Sequence, residues 1–200
     1  GKLAQKNVDT GAGLERLSMV LQKATSVFDT DLFEEICGKI NEFSTSTDTR
    51  AKRIVADHIR TAVFLISDGV LPSNTDQGYV LRRILRRAVR FADVLGMKHG
   101  SLFWLAGPAI SKFGPVYGNL IERADFIKKE IDTEEQRFRK TLEHGLKEFE
   151  KGTDAFTLFS SYLLPASTNT RTVTVGLSFI GIMTNLNPFL KTFLVNFIFD

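Results

Sequence analysis

From Leu14 to Phe149 apolar residues recur every three or four positions, the period of a helix with one buried face rather than of a strand. Thr10-Gly11-Ala12-Gly13 reads as a tight turn after an extended piece at Lys6–Asp9. It opens a predicted helix over Leu14–Lys23 whose apolar face is Leu14, Leu17, Leu21 and Met19/Val20. Asp29-Thr30-Asp31 supplies the cap and acidic first turn of a second helix running through Leu32, Phe33, Ile36 and Ile40. Ser44–Thr49 is then a solvated linker.

Val55, Ile59, Ala62, Val63 and Ile66 predict a helix from Arg50 to Ser67 that stops at Asp68-Gly69. The loop Leu71–Asp76 leads into a helix over Gln77–Leu95 with Val80, Leu81, Ile84, Leu85 and Ala88 inward. Ser101–Phe113 is a shorter apolar helix expected to bend or divide at Gly107-Pro108. Asn119–Glu150 reads as one long helix in which Leu120, Ala124, Ile127, Ile131, Phe138, Leu142, Leu146 and Phe149 approach a seven-residue rhythm. The fold class is therefore mainly α.

Charge changes this picture at one place. The chain has 200 residues with 26 Lys+Arg against 23 Asp+Glu, and after Asp154 only Arg171, Lys191 and Asp200 are charged. Leu177–Phe199 carries five of the 17 Phe. Such a shift marks a segment boundary. A membrane span is the alternative for this tail, but Asn185, Asn187, Pro188, Lys191 and Asn196 interrupt it short of the roughly 20 apolar residues a span requires. Thr168–Val175 could be a short strand. Cys37 is a lone cysteine that can form no internal disulfide, which suits a reducing compartment, and no Cys/His set has zinc-ligand spacing. Gly1 is not an initiator Met and no signal peptide opens the sequence, which reads as a segment of a longer protein.

Two stretches carry candidate chemistry. Gly11 and Gly13 let a ligand approach the backbone, and the helix that follows aims its unpaired N–H groups at the turn, which suits a nucleotide. Arg16 in the first turn opposes the helix dipole unless an anion compensates it, and Asp9 could hold a cationic group. The plainer alternative is a strand–helix turn with Arg16 paired to a Glu. The second stretch is Arg82, Arg83, Arg86, Arg87 and Arg90, a cationic ridge able to meet successive phosphates. Its alternative is internal ion pairing with the acidic helix around Glu130–Glu135. His58, His99 and His144 read as surface or packing residues.

The run Asp9–Arg16, the stretch Ala56-Asp57-His58-Ile59-Arg60 through Asp68-Gly69, the loop Pro72-Ser73-Asn74 and the run Gly78–Arg90 together resemble the alanyl-tRNA synthetases, a class II family. The resemblance continues through Glu134–Phe138 and Thr141–Gly145 to Ala155-Phe156. It implies a division into residues 1–24, the strand-turn-helix that ends a class II catalytic domain; residues 25–165, a helical tRNA-recognition domain; and residues 166–200, a divergent apolar tail.

The same resemblance implies an enzyme that forms alanyl-adenylate from alanine, ATP and Mg²⁺ and passes alanine to the 3′ end of tRNA(Ala). Gly11 to Arg16 corresponds to the third class-defining motif. Asp9 would bind the alanine ammonium, Gly11 and Gly13 would lie against the adenosine, and Arg16 would contact ATP. Asn74 matches the position that reads a G·U pair in the acceptor stem, with the five arginines supplying phosphate contacts; as a plain reading it is a turn residue. The resemblance places the first two class motifs before Gly1 and a zinc-holding editing domain after the chain. Where the family has a second, acidic reader of the pair, this sequence has Ser160, which carries no charge. A cytoplasmic setting is expected, with an organellar one as the alternative, and no membrane partner. The alternative function is a non-catalytic RNA- or protein-binding module whose apolar tail is a docking segment.

Overall fold

The computed structural model describes Gln5 and residues 11–150, with side chains up to Lys147. The chain forms two compact units, residues 1–136 and 137–200. The described part of the second is the end of the last helix. The expected strand at Lys6–Asp9, Asp9 itself, Ser160, the strand at Thr168–Val175 and the apolar tail all lie outside the described residues. No helix among the described residues is long and apolar enough to cross a membrane.

Among the described residues the architecture is all helical: α1 Leu14–Leu21, a 3₁₀ turn Val27–Asp29, α2 Glu34–Phe43, α3 Thr49–Ser67, α4 Asp76–Val94, α5 Ser101–Phe113, α6 Gly118–Glu122 and α7 Ala124–Glu150. The centre is the antiparallel pair α3 and α4, with α2 and α5 packed on α3 and on each other, and α6 against α3 and α5. Val55, Ile59, Ala62, Val63 and Ile66 of α3 and Leu81 and Ala88 of α4 are all fully buried. These are the three-and-four spaced positions of the sequence, and their burial holds the pair together.

Helix ends follow their local chemistry. Asp48 caps α3 by accepting the Ala51 N–H at 3.0 Å. Gly69, at φ +94°, ends α3, and the Val70 N–H returns to the Leu65 carbonyl. Gly96, at φ +68°, ends α4 in the same way, with the Met97 N–H on the Ala92 carbonyl.

The structure corrects the expected outline in five places. α2 begins at Glu34 rather than at an Asp29–Asp31 cap, because Thr30 turns its hydroxyl onto the Val27 carbonyl and closes a separate 3₁₀ turn. Leu32 and Phe33 are nonetheless buried, just ahead of the helix. The Ser44–Thr49 linker is partly docked, since the N–H groups of Thr45 and Ser46 both reach the Leu95 carbonyl. α5 is not divided: Pro108 sits inside it and leaves the carbonyl of exposed Trp104 without its helical donor, where water can serve it. The long last helix is preceded by a separate turn, α6, because Arg123 at the junction leaves helical geometry and donates to the Ser67 carbonyl at the end of α3, 2.6 Å away. Finally, α1 buries no side chain, so the apolar face read from Leu14, Leu17, Val20 and Leu21 is open.

Neighbouring positions on α4 give a direct check. Val80, read as inward, is 52% exposed, whereas Leu81 is fully buried. Leu81→Ala should destabilise the chain by about 2–5 kcal/mol, and Val80→Ala by less than about 0.5 kcal/mol, as measured by urea unfolding of the two variants.

Candidate nucleotide and RNA interfaces

The loop before α4 is built around a contact only glycine allows. Gly78 is buried against the loop, and a Cβ there would lie 2.3 Å from the Leu71 carbonyl oxygen and 2.2 Å from the Ser73 hydroxyl. The Ser73 N–H donates to the Gly78 carbonyl at 3.1 Å, and the Ser73 hydroxyl donates to the Thr75 carbonyl at 2.8 Å. Ser73 therefore makes the turn. Asn74 is exposed, and its Oδ1 accepts from an Arg82 guanidinium nitrogen rather than serving the loop backbone.

Arg82 is in turn held from below. Glu134 of α7 is 2% exposed; its Oε1 accepts from Arg86 Nε at 3.0 Å and lies 3.5 Å from Arg82 Nε. A buried carboxylate is tolerable only when compensated, and here two guanidiniums compensate one acid. Next to it, buried Glu135 accepts the backbone N–H of Gly100 ahead of α5. Of the five arginines, Arg82 and Arg86 are thus ion-paired within the fold, as the internal-pairing alternative anticipated. Arg83 and Arg87 are exposed and lie near the Tyr79 and Phe91 rings, while Arg90 is half-buried. The sequence places the internal-pairing acids only within Glu130–Glu135; Glu134 is the one that meets Arg82 and Arg86, and it falls between Ile131 and Phe138 on the seven-residue seam.

Gly13 is the N-cap of α1, in extended geometry at φ −69°. Neither its backbone nor that of Gly11 is left-handed, and nothing described lies within 4 Å of where a Gly11 Cβ would be. Neither conformation nor packing among the described residues demands glycine at 11. Arg16 is exposed, forms no ion pair with any described residue, and lays its stem over Gly13 with Cδ 3.7 Å from a would-be Cβ. The expected Arg16–Glu alternative is replaced by a pair one residue earlier: Glu15 Oε1 accepts from Arg60 of α3 at 2.5 Å.

Glu15 is held below its ordinary range by its own backbone N–H and by Arg60. Asp57, one turn before Arg60, is lowered by its hydrogen bond with His58. His99 and His144 are exposed.

Comparison with known proteins gives the class of the chain. Residues 1–167 match the family described as tRNA synthetases class II (A), and the chain belongs to that family. It is 43% identical over 178 residues to a protein of Thermotoga maritima named alanine–tRNA ligase, and 43% over 185 and 42% over 182 residues to proteins of the same name from Exiguobacterium sibiricum and Staphylococcus aureus. In each case 82% of this chain is covered, and the chain spans 21% of the relative's length.

Removing the acid beneath the arginines should be costly. Glu134→Ala leaves two guanidiniums facing each other across a buried gap and is expected to destabilise the chain by roughly 3 kcal/mol, read as a lowered midpoint of thermal unfolding. Acid should act on α1. Because the folded-state pKa of Glu15 lies below its ordinary value of 4.5, its stabilising contribution is complete above that pH. It is lost as the pH falls through the lowered native value. Amide protection in α1 should therefore decline below about pH 4.5, ahead of that in α3, and a uniform decline would contradict this assignment.

Proposed function

We propose that the chain is the part of an alanine–tRNA ligase that joins an ATP-binding turn to a helical platform for tRNA. The observation that carries this reading is the family match over residues 1–167 together with 43% identity to ligases of that name. The whole protein would join alanine to ATP by attack of the alanine carboxylate on the α-phosphate, releasing pyrophosphate. The 3′-terminal ribose of tRNA(Ala) would then attack the carbonyl of the adenylate and release AMP. On this segment, Arg16 offers an uncompensated cation to the phosphates beside a turn whose Gly11 leaves room for the adenosine, and Asp9 is assigned to the alanine ammonium. Mg²⁺ enters with ATP as part of the substrate. The described residues hold no group of three His, Cys, Asp or Glu that could bind a metal ion. The segment's own contribution is positioning and charge placement.

For tRNA, exposed Arg83 and Arg87 are assigned to backbone phosphates, whereas Arg82 and Arg86 act from within the fold. Arg82 occupies one lone pair of Asn74 Oδ1, leaving the second lone pair to accept the guanine 2-amino group that a G·U pair presents in the shallow minor groove. Ser160, where the family carries an acid, favours a second reading in which this chain binds RNA without strong selection for the wobble pair.

Titration of acceptor-stem RNA at two salt concentrations tests the assignment. The double change Arg83→Ala, Arg87→Ala should reduce the slope of log affinity against log salt by roughly one for each lost phosphate contact. Asn74→Ala should keep the slope and narrow the preference for G·U over Watson–Crick stems by about 1–3 kcal/mol. An unchanged slope in the double variant would refute the phosphate-binding role. Alanine-dependent ATP–pyrophosphate exchange by these 200 residues alone should stay at background.

A further inference from the structure

No side chain of α1 is fully buried, and polar clamps fasten the helix to the rest of the helical body. With Met19 its one half-buried apolar side chain, α1 has little hydrocarbon packing to set its rotation. Two clamps one helical heptad apart set it: Glu15 pairs with Arg60 at 2.5 Å, and Gln22 both donates to Asp31 Oδ1 at 2.5 Å and accepts the Asp31 N–H at 3.1 Å. Ser18 and Met19, between the clamps on the same side, are half-buried like Glu15, while Leu14, Arg16, Leu17, Val20 and Leu21 are exposed.

The anchoring side of the first clamp is rigid. The Arg60 guanidinium lies 4.2 Å from the centre of the Phe33 ring and 5.8 Å from that of Phe113, and its side chain is 14% exposed. Those rings continue into a run of aromatic contacts, Phe28 on Phe33 at 4.8 Å and Phe64 on Phe113 at 5.4 Å. An arginine held between two rings keeps its planar fork pointed in one direction, which a lysine would not do.

We propose that Arg60 is a positioning residue for the nucleotide step: by fixing Glu15 it fixes the rotation of α1, and so the direction in which adjacent Arg16 meets the phosphates. Arg16 follows Glu15 by one residue, about 100° around the helix, so a rotation that releases Glu15 swings Arg16 by the same angle. The second clamp restrains only the far end. This inference rests on the reading that Arg16 contacts ATP.

Two measurements test it, with Arg60→Met, Arg60→Lys and Glu15→Gln. In the 200-residue chain, hydrogen exchange of residues 14–21 should accelerate in Arg60→Met and Glu15→Gln, with exchange of α3 and α4 unchanged; unaltered exchange in α1 overturns the proposal. The second measurement uses the Thermotoga maritima ligase carrying residues 1–167 of this chain in place of its matching segment. There Arg60→Met should raise the KM for ATP roughly 10- to 100-fold while leaving the KM for alanine unchanged, and Arg60→Lys should recover part of the loss.

The decisive comparison is in an Arg16→Ala background. If Arg60 acts through Arg16, Arg60→Met adds little there. An equal rise in both backgrounds overturns the proposal while leaving the ATP assignment intact. If Arg16→Ala itself leaves the KM for ATP unchanged, the ATP reading fails instead, and accelerated exchange in α1 would show the clamp as purely structural.

Discussion

The buried carboxylate of Glu134 constrains the arginine-bearing face of α4 more than any cation on it. Taking an acid out of water costs several kcal/mol unless opposite charge compensates it, and α4 supplies that charge from Arg82 and Arg86. Once those two are committed, the rotation of α4 is set, and Arg83 and Arg87 are carried to the solvent side. The same acid reaches the loop indirectly, since the Arg82 it holds also takes the Asn74 amide oxygen. One buried group thereby organises a line of polar side chains from the interior of the helical body to an exposed amide.

Much of the helical layout was legible because it rests on burial periodicity. Val55 through Ile66 could be read as a core face from spacing alone, and that face is fully buried. Failures occurred where tertiary partners override local signals. Arg123 breaks the helical run because it serves the end of α3, 56 positions away in sequence. The Asp29–Asp31 cap lost to a buried threonine that closed a turn of its own. Val80 has apolar Ile84 and Phe91 on one side of the wheel but exposed Arg83 and Arg87 on the other, beyond the edge of the buried stripe.

The candidate sites were legible in a different way. Glycines, a loop Asn and clustered arginines announce themselves by residue type, whereas the groups that hold them do not. Arg60 is separated from Glu15 by 45 positions, and nothing in either local pattern connects them. Glu134 did leave a trace, as a charge on an apolar seam between Ile131 and Phe138. Gly78 was readable only as part of a motif; its steric reason, a carbonyl oxygen where a Cβ would stand, required the loop to be seen folded back.

The Leu95 carbonyl, which receives the N–H groups of Thr45 and Ser46, bears on the order of folding. α3 and α4 are joined through a short loop at one end, and this carbonyl lies at the opposite, open end of the hairpin. Thr45 and Leu95 are 50 residues apart, so bringing them together from an open chain carries a substantial loss of entropy. After the two helices have zipped along their buried seam, most of that loss has already been incurred and the ends are adjacent. The linker then closes the hairpin as a latch. A contact made that late would stabilise the finished pair by slowing its unfolding rather than by speeding its formation.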